Sequence, residues 1–288
     1  MTMVNYPEIN PIAVDLGIIK VHWYGLMYFF AFILFIQLGK YKIKNHPNPS
    51  NLNEKILDDL FFYGALGVVL GGRLGYVLFY QPVYFFSNPF EIFAVWQGGM
   101  SFHGGLLGVI GALIFIANRY KKKWLELTDF VAPLVPLGLG LGRLGNFINQ
   151  ELWGRPTDIA WAMIFPNVDS IPRHPSQLYQ FFLEGILLFL ILWAVSSKQR
   201  KIGYISGLFL IFYGFFRIVA EFFREPDSHI GLLIHYVIFW PTLFLTIVLF
   251  CIYLLQTHNN DYSCSIFFLF SVNKLLFVLL FYVLGSCF

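Results

Sequence analysis

Four polar residues recur at helical spacing near the end of an apolar run: Tyr213, Arg217, Glu221 and Arg224. Steps of four, four and three positions put them on one face of a helix. An Arg217–Glu221 pair could neutralise itself there. Arg73 and Arg143 also lie in apolar surroundings, with no acid three or four positions away. A guanidinium in such a place needs a counter-charge, and its planar fork matches the oxygens of a phosphate. His103, in Phe102-His103-Gly104-Gly105-Leu106, offers a base suited to neutral pH. The glycines beside it would remove bulk and let a substrate approach the backbone. A histidine at a helix start also reads as a structural or interfacial group. Gly142-Arg143-Leu144-Gly145-Asn146-Phe147 runs on to Asn149, Glu151 and Gly154. Close helix packing in a membrane accounts for its glycines, but not for Arg143, Asn146 or Glu151.

The elements that hold these residues follow from composition. Of 288 residues, 58% are hydrophobic and 12% charged, and Phe occurs 34 times. A water-soluble domain could not cover so much apolar surface, whereas a bilayer solvates it. Apolar runs long enough to cross lie at Ile18–Gly39, Leu57–Tyr80, Phe102–Asn118, Phe130–Phe147, Leu178–Ser196, Gly203–Phe223 and Leu232–Gln256. Only helices can span singly, because every backbone group must be satisfied internally. The expected fold is all-α, a polytopic membrane helix bundle of about seven transmembrane helices. A single catalytic domain over residues 1–256 is expected. The formal charge of +3 is too small an excess for nucleic acid. Cys251, Cys264 and Cys287 have no CxxC spacing and no metal-ligand cluster nearby, so neither a disulfide framework nor a metal site is expected.

Basic residues set the orientation. Lys40, Lys42, Lys44 and Lys55, then Arg119 and Lys121–Lys123, then Lys198, Arg200 and Lys201 fall in alternate connections; the others hold only Lys20, Arg155, Arg173 and Arg224. The positive-inside rule makes the first set cytoplasmic and puts the N-terminus outside. Two outer loops result. Gln81–Ser101 carries Tyr84, Phe85, Phe86 and Trp96 and should lie in the interface. Gln150–Gln177, with Pro156, Pro166, Pro172 and Pro175, should be ordered but irregular. On this topology Tyr24, Arg73, His103, Arg143, Asn146, Tyr213, Arg217 and Glu221 all fall in the outer half of their spans. Each ionised side chain there costs about 2.5–3.5 kcal/mol on insertion scales, and scattered structural residues would have no reason to share one leaflet.

Several segments resemble the bacterial prolipoprotein diacylglyceryl transferases. They are Val21-His22-Trp23-Tyr24-Gly25, Gly71-Gly72-Arg73-Leu74-Gly75-Tyr76, Ser101 to Leu106, Gly142 to Gly154 (GRLGNFINQELWG), Arg173 to Tyr179, and Tyr213 to Asp227. They occur in the family's order over residues 20–231, and GRLGNFINQELWG is highly specific. The resemblance implies transfer of the diacylglyceryl group of phosphatidylglycerol to the thiol of a lipobox cysteine in a preprolipoprotein signal peptide, with release of glycerol phosphate. It implies His103, Arg143 and Arg217 as catalytic residues. It places Tyr24, Asn146, Glu151, Gly154 and Glu221 in the same site; Arg73 and Tyr213 join as substrate-binding candidates. No metal or other cofactor is implied. The partners would be phosphatidylglycerol, the preprolipoprotein and membrane lipid, in the bacterial inner membrane. A thiol with ordinary pKa about 8.5 reacts as thiolate, so a base helps, and paired arginines can hold the departing phosphate.

The pattern breaks twice. Gln180 stands where the family has Glu, a mild change. After Gly231 the family's last span gives way to Tyr236-Val237-Ile238-Phe239-Trp240-Pro241-Thr242-Leu243. One added T in a T run turns codons for Ile-Phe-Gly-Gln-Leu into Ile-Phe-Trp-Pro-Thr. The sequence from about residue 240, including the apolar tail 257–288, therefore reads either as a frameshift product or as a diverged terminus. A transporter or lipid flippase would also place arginines in the membrane, although no inverted repeat is visible. A scaffold, or an enzyme inactivated by its tail, is a third reading.

Overall fold

The computed structural model describes residues 4–225 except 8, 16, 18, 19, 49, 96 and 97. The expected span Leu232–Gln256, the three cysteines and the suspected shift at residue 240 lie outside the described residues, as does Trp96. Short strands open the chain: β1 (Val4–Asn5), β2 (Ile12–Asp15) and β3 (Lys20–His22). The helices are α1 (Trp23–Asn45), α2 (Glu54–Phe79), α3 (Pro82–Ser87), α4 (Phe102–Arg119), α5 (Trp124–Val131), α6 (Pro136–Ile148), α7 (Ser176–Gln180), α8 (Leu188–Ser196) and α9 (Tyr204–Phe223). A π-helical turn, Phe181–Leu187, joins α7 to α8 as one continuous rod, and β4 (Met163–Ile164) pairs in parallel with β1.

Five helices are long and apolar enough to cross a bilayer: α1, α2, α4, the α7–α8 rod and α9. The α5–α6 pair is bent by 45° and adds up to a sixth. The bend falls at Pro133 and Pro136, whose missing N–H groups interrupt the helical ladder. The first span starts later than expected. Residues 20–22 form a strand because β2 folds back on β3, with Asp15 Oδ1 accepting from Gly17 N and Gly17 at φ +80° making the turn. Large apolar side chains such as Phe29, Phe62, Leu70 and Phe215 face outward at about half exposure or more, the surface expected where lipid is the solvent.

The described residues form two compact units, divided within α2 and within α4. The first runs up to Phe61 and resumes at Ala117. Its core packs Leu188 and Leu192 of α8 with Ile205 and Phe216 of α9. A buried polar network ties α1, α5 and α9. Lys42 Nζ donates to the carbonyls of Asp129 and Phe130 at 3.2 and 3.0 Å, and the Asp129 carboxylate accepts from the backbone N–H groups of Gly203 and Ser206. Lys42, counted above among loop cations, is thus a buried structural residue.

The second unit, residues 62–116, is built on small residues. Gly67, Gly71 and Gly75 of α2 meet Gly104 and Gly108 of α4 so closely that a Cβ at Gly71 or Gly104 would collide with the facing backbone. Gly104 therefore serves helix packing, not the substrate access expected of it, while Gly105 has looser neighbours. Ser101 caps α4: its Oγ accepts from Gly104 N at 3.3 Å, and its own N–H donates to Gly72 O at 2.8 Å. The stretch after α2 forms α3 and a 3-10 turn, Pro89–Phe93, with Phe86, Phe90 and Phe93 highly exposed, as an interfacial segment requires.

Candidate active site

In the first unit, Arg143 lies in the last turns of α6. Its Nη2 is 3.5 Å from Oε2 of Glu184, a residue of the π-helical turn. Arg217 of α9 approaches the other oxygen of the same carboxylate at 3.8 Å and holds Glu221, one helical turn on, at 2.9 Å. Glu184 is completely buried, whereas both arginine side chains keep about a fifth of their surface exposed. Arg143, which has no acid three or four positions away along its own helix, thus has an acidic partner in Glu184. The partner comes from another helix, where counting three or four positions along one helix cannot find it. The self-neutralising Arg217–Glu221 pair is observed, and it is one part of a four-charge cluster.

A close backbone approach sets this geometry. Gly140 of α6 and Gly185 face each other, and a Cβ at Gly185 would lie 2.8 Å from Gly140 Cα. Arg143 follows Gly140 by one turn and Glu184 adjoins Gly185, so this contact brings their side chains within ion-pair range. The π-helical turn, a feature frequent at functional sites, carries the acid. Tyr213 faces Glu184, Arg217 and Arg143 and stacks on Phe209 with ring centroids 5.7 Å apart.

The polar turn after α6 folds back beside the cluster. Glu151 accepts from Asn146 Nδ2 at 3.1 Å and Asn149 Nδ2 at 3.3 Å. Gln150 and Leu152 adopt φ of 56° and 54°, which reverses the chain here. Tyr24, in the first turn of α1, packs on Gly145, where a Cβ would fall 2.6 Å from its ring; it interacts electrostatically with Glu151 and Arg143. Gly154 donates its N–H to His174 O at 3.0 Å and pairs with Arg224 across an isolated bridge. A side chain at Gly154 would strike His174 O. Arg224 is not on the face of α9 as expected: the helix ends at Phe223, and Arg224 is extended at φ −81°, ψ 142°. The loop beyond is irregular but tied. Arg173 holds Asp169 at 2.7 Å, a contact that keeps the Asp169 carboxyl below its usual range.

Two candidates belong to the second unit. Arg73 is buried, and its guanidinium donates to backbone carbonyls of Ile92 (2.9 Å), Glu91 (2.6 Å), Gly98 (2.5 Å) and Gly99 (3.3 Å). The Phe85 ring lies 5.1 Å from it. Its counter-charge is a nest of carbonyl dipoles, so its observed work is to hold the segment after α2. His103 is exposed in the first turn of α4, edge-on to Phe102. Among the described residues no group of three or more His, Cys, Asp or Glu could hold a metal ion.

Thus Tyr24, Arg143, Asn146, Glu151, Gly154, Tyr213, Arg217 and Glu221 share one unit, and Glu184 joins them unforeseen. Its signal was in view: a carboxylate inside the apolar run Leu178–Ser196, where an ionisable residue marks function by default.

The sequence profile described as prolipoprotein diacylglyceryl transferase matches residues 11–257. A protein of Nitrosospira multiformis is 60% identical over 226 residues, covering 78% of each chain. One of Nitrosomonas europaea is 58% identical over 226 residues, 78% of this chain and 81% of its own. One of Methylobacillus flagellatus is 57% identical over 233 residues, 80% and 89%. All three are named phosphatidylglycerol–prolipoprotein diacylglyceryl transferase. The profile match and these identities over most of each chain show that this chain belongs to the prolipoprotein diacylglyceryl transferase family.

Proposed function

We propose that the chain transfers the diacylglyceryl group of phosphatidylglycerol to the lipobox cysteine thiol of a preprolipoprotein. It works at the outer leaflet of the bacterial inner membrane, with its N-terminus outside. The observation that carries the reading is the pair of guanidiniums, Arg143 and Arg217, brought from two helices to one buried carboxylate while each stays partly accessible. Charges are kept at such cost within an apolar bundle where they meet a charged ligand. The names of the relatives supply the ligand, phosphatidylglycerol; on this reading glycerol phosphate is its leaving group.

The step balances without a cofactor. The cysteine sulfur forms a bond to the glycerol carbon of the lipid, and the bond from that carbon to the phosphate oxygen breaks. The electron pair leaves on glycerol phosphate. The thiol proton goes to a base, for which the imidazole of His103 is the candidate. Arg143 and Arg217 hold the phosphate and stabilise the charge that builds on it. Glu221 keeps Arg217 aimed, and Tyr24 and the Asn146–Glu151 turn lie beside Arg143.

The test combines purified full-length chain, phosphatidylglycerol and a lipobox peptide, with thioether product measured by mass. The expected result is a peptide heavier by one diacylglyceryl group, and loss of product by a factor of about a hundred or more in Arg143→Ala. Lipid movement across vesicles without any covalent product would overturn the reading in favour of a transporter. Undiminished transfer by His103→Gln would remove the base from His103 alone.

A further inference from the structure

Glu184 has no part in the chemistry just described, yet it occupies the centre of the cluster. Its carboxylate is fully buried between two guanidiniums at 3.5 and 3.8 Å, and neither of its oxygens has a hydrogen-bond partner among the described residues. The same Arg217 closes tightly on Glu221, at 2.9 Å, while it stays 3.8 Å from Glu184. A carboxylate meant as a permanent lock would do the same, since charge-assisted hydrogen bonds favour about 2.7–2.9 Å. Glu184 instead compensates charge at a distance, leaving the guanidinium edges to other acceptors. Its backbone cannot drift, because Gly185 is pressed against Gly140.

We propose that Glu184 is a positioning residue that acts as a resident counter-ion: it holds Arg143 and Arg217 convergent in the empty site and gives way electrostatically to the incoming phosphate. The proposal rests on the reading of both arginines as phosphate ligands. Phosphate then binds against the competition of Glu184, which keeps the product from staying. Once the thioether has formed, glycerol phosphate leaves because the arginines return to an acid already in place. Removing that charge should make the site grip phosphate too well.

The deciding measurement is calorimetric binding of glycerol phosphate to the full chain in detergent, with transfer kinetics alongside. In Glu184→Gln, the dissociation constant should fall about tenfold, since one opposing unit charge has gone from a partly desolvated site. KM for phosphatidylglycerol and kcat should fall together as release slows. A purely structural residue would lower the folded yield and leave the dissociation constant of the folded fraction unmoved, which would overturn the proposal. If Glu184→Gln does not fold, Glu184→Asp decides. Its carboxylate is drawn back by one methylene, so binding should tighten by about threefold; unchanged binding overturns the proposal. Failure of both variants to fold assigns Glu184 to the scaffold and overturns it too. Arg143→Gln separates the two readings. If glycerol phosphate binds it as well as wild type, the phosphate reading fails; if it binds more weakly while Glu184→Gln is unchanged, only the counter-ion proposal fails.

Discussion

Replacing Gly185 with alanine tests whether backbone contact sets the site's geometry. The added Cβ would lie 2.8 Å from Gly140 Cα and 3.4 Å from Gly140 N, and ordinary contact begins near 3.4 Å. Both atoms belong to backbone, so no rotamer change relieves the clash, and α6 must move from the π-helical turn by at least the missing 0.6 Å. Overpacking of this kind costs about 1–3 kcal/mol. A rigid shift would also open the Arg143–Glu184 gap of 3.5 Å to about 4 Å and move Arg143 relative to Arg217. Misplacement of a positioned group by ~1 Å can cost about a hundredfold in rate, so a shift of roughly half that should cost about tenfold in kcat. Transfer activity and thermal melting in detergent should be measured together. Gly142→Ala, which meets open space, serves as a stability control. If Gly185→Ala melts at the wild-type temperature with full activity, the close approach does not position the arginine and the reasoning is refuted.

Three further outcomes follow from the same geometry. Arg73→Lys should destabilise the segment after α2 by about 2–4 kcal/mol, because a single ammonium cannot reach four carbonyls spread from Glu91 to Gly99; faster proteolysis near Gly98 and a lower melting temperature would show it. Gly71→Ala should abolish folding, since its Cβ meets the Gly104 backbone, whereas Gly64→Ala, with nothing nearby, should be neutral or stabilising by up to about 1 kcal/mol; yields of monodisperse protein compare them. Burial lowers the pKa of His174 from its usual 6.5. The fold therefore favours the neutral ring, so this contribution to stability is complete above about pH 6.5 and is lost as pH falls through the folded value. A His174→Asn variant should show a flatter melting temperature between pH 7 and 5 than wild type, and parallel curves would count against the assignment.

Much of this protein is decided by local rules. Apolar runs of about 20 residues have only the helix as a way to cross a bilayer, and Glu54–Phe79, Phe102–Arg119, Ser176–Ser196 and Tyr204–Phe223 follow that rule. The Arg217–Glu221 pair follows from helical periodicity alone. Tertiary structure decided which charge serves which. Arg143 and Arg73 look alike in sequence, each an arginine among glycines, yet Arg73 is absorbed by carbonyl dipoles of its own unit, while Arg143 meets Glu184 across two helices. Gly104 reads as room for a substrate and proves to be a packing surface. Sequence spacing measures distance along one helix, but a counter-ion is selected by distance through space. That distance was set where Gly140 and Gly185 let two backbones touch.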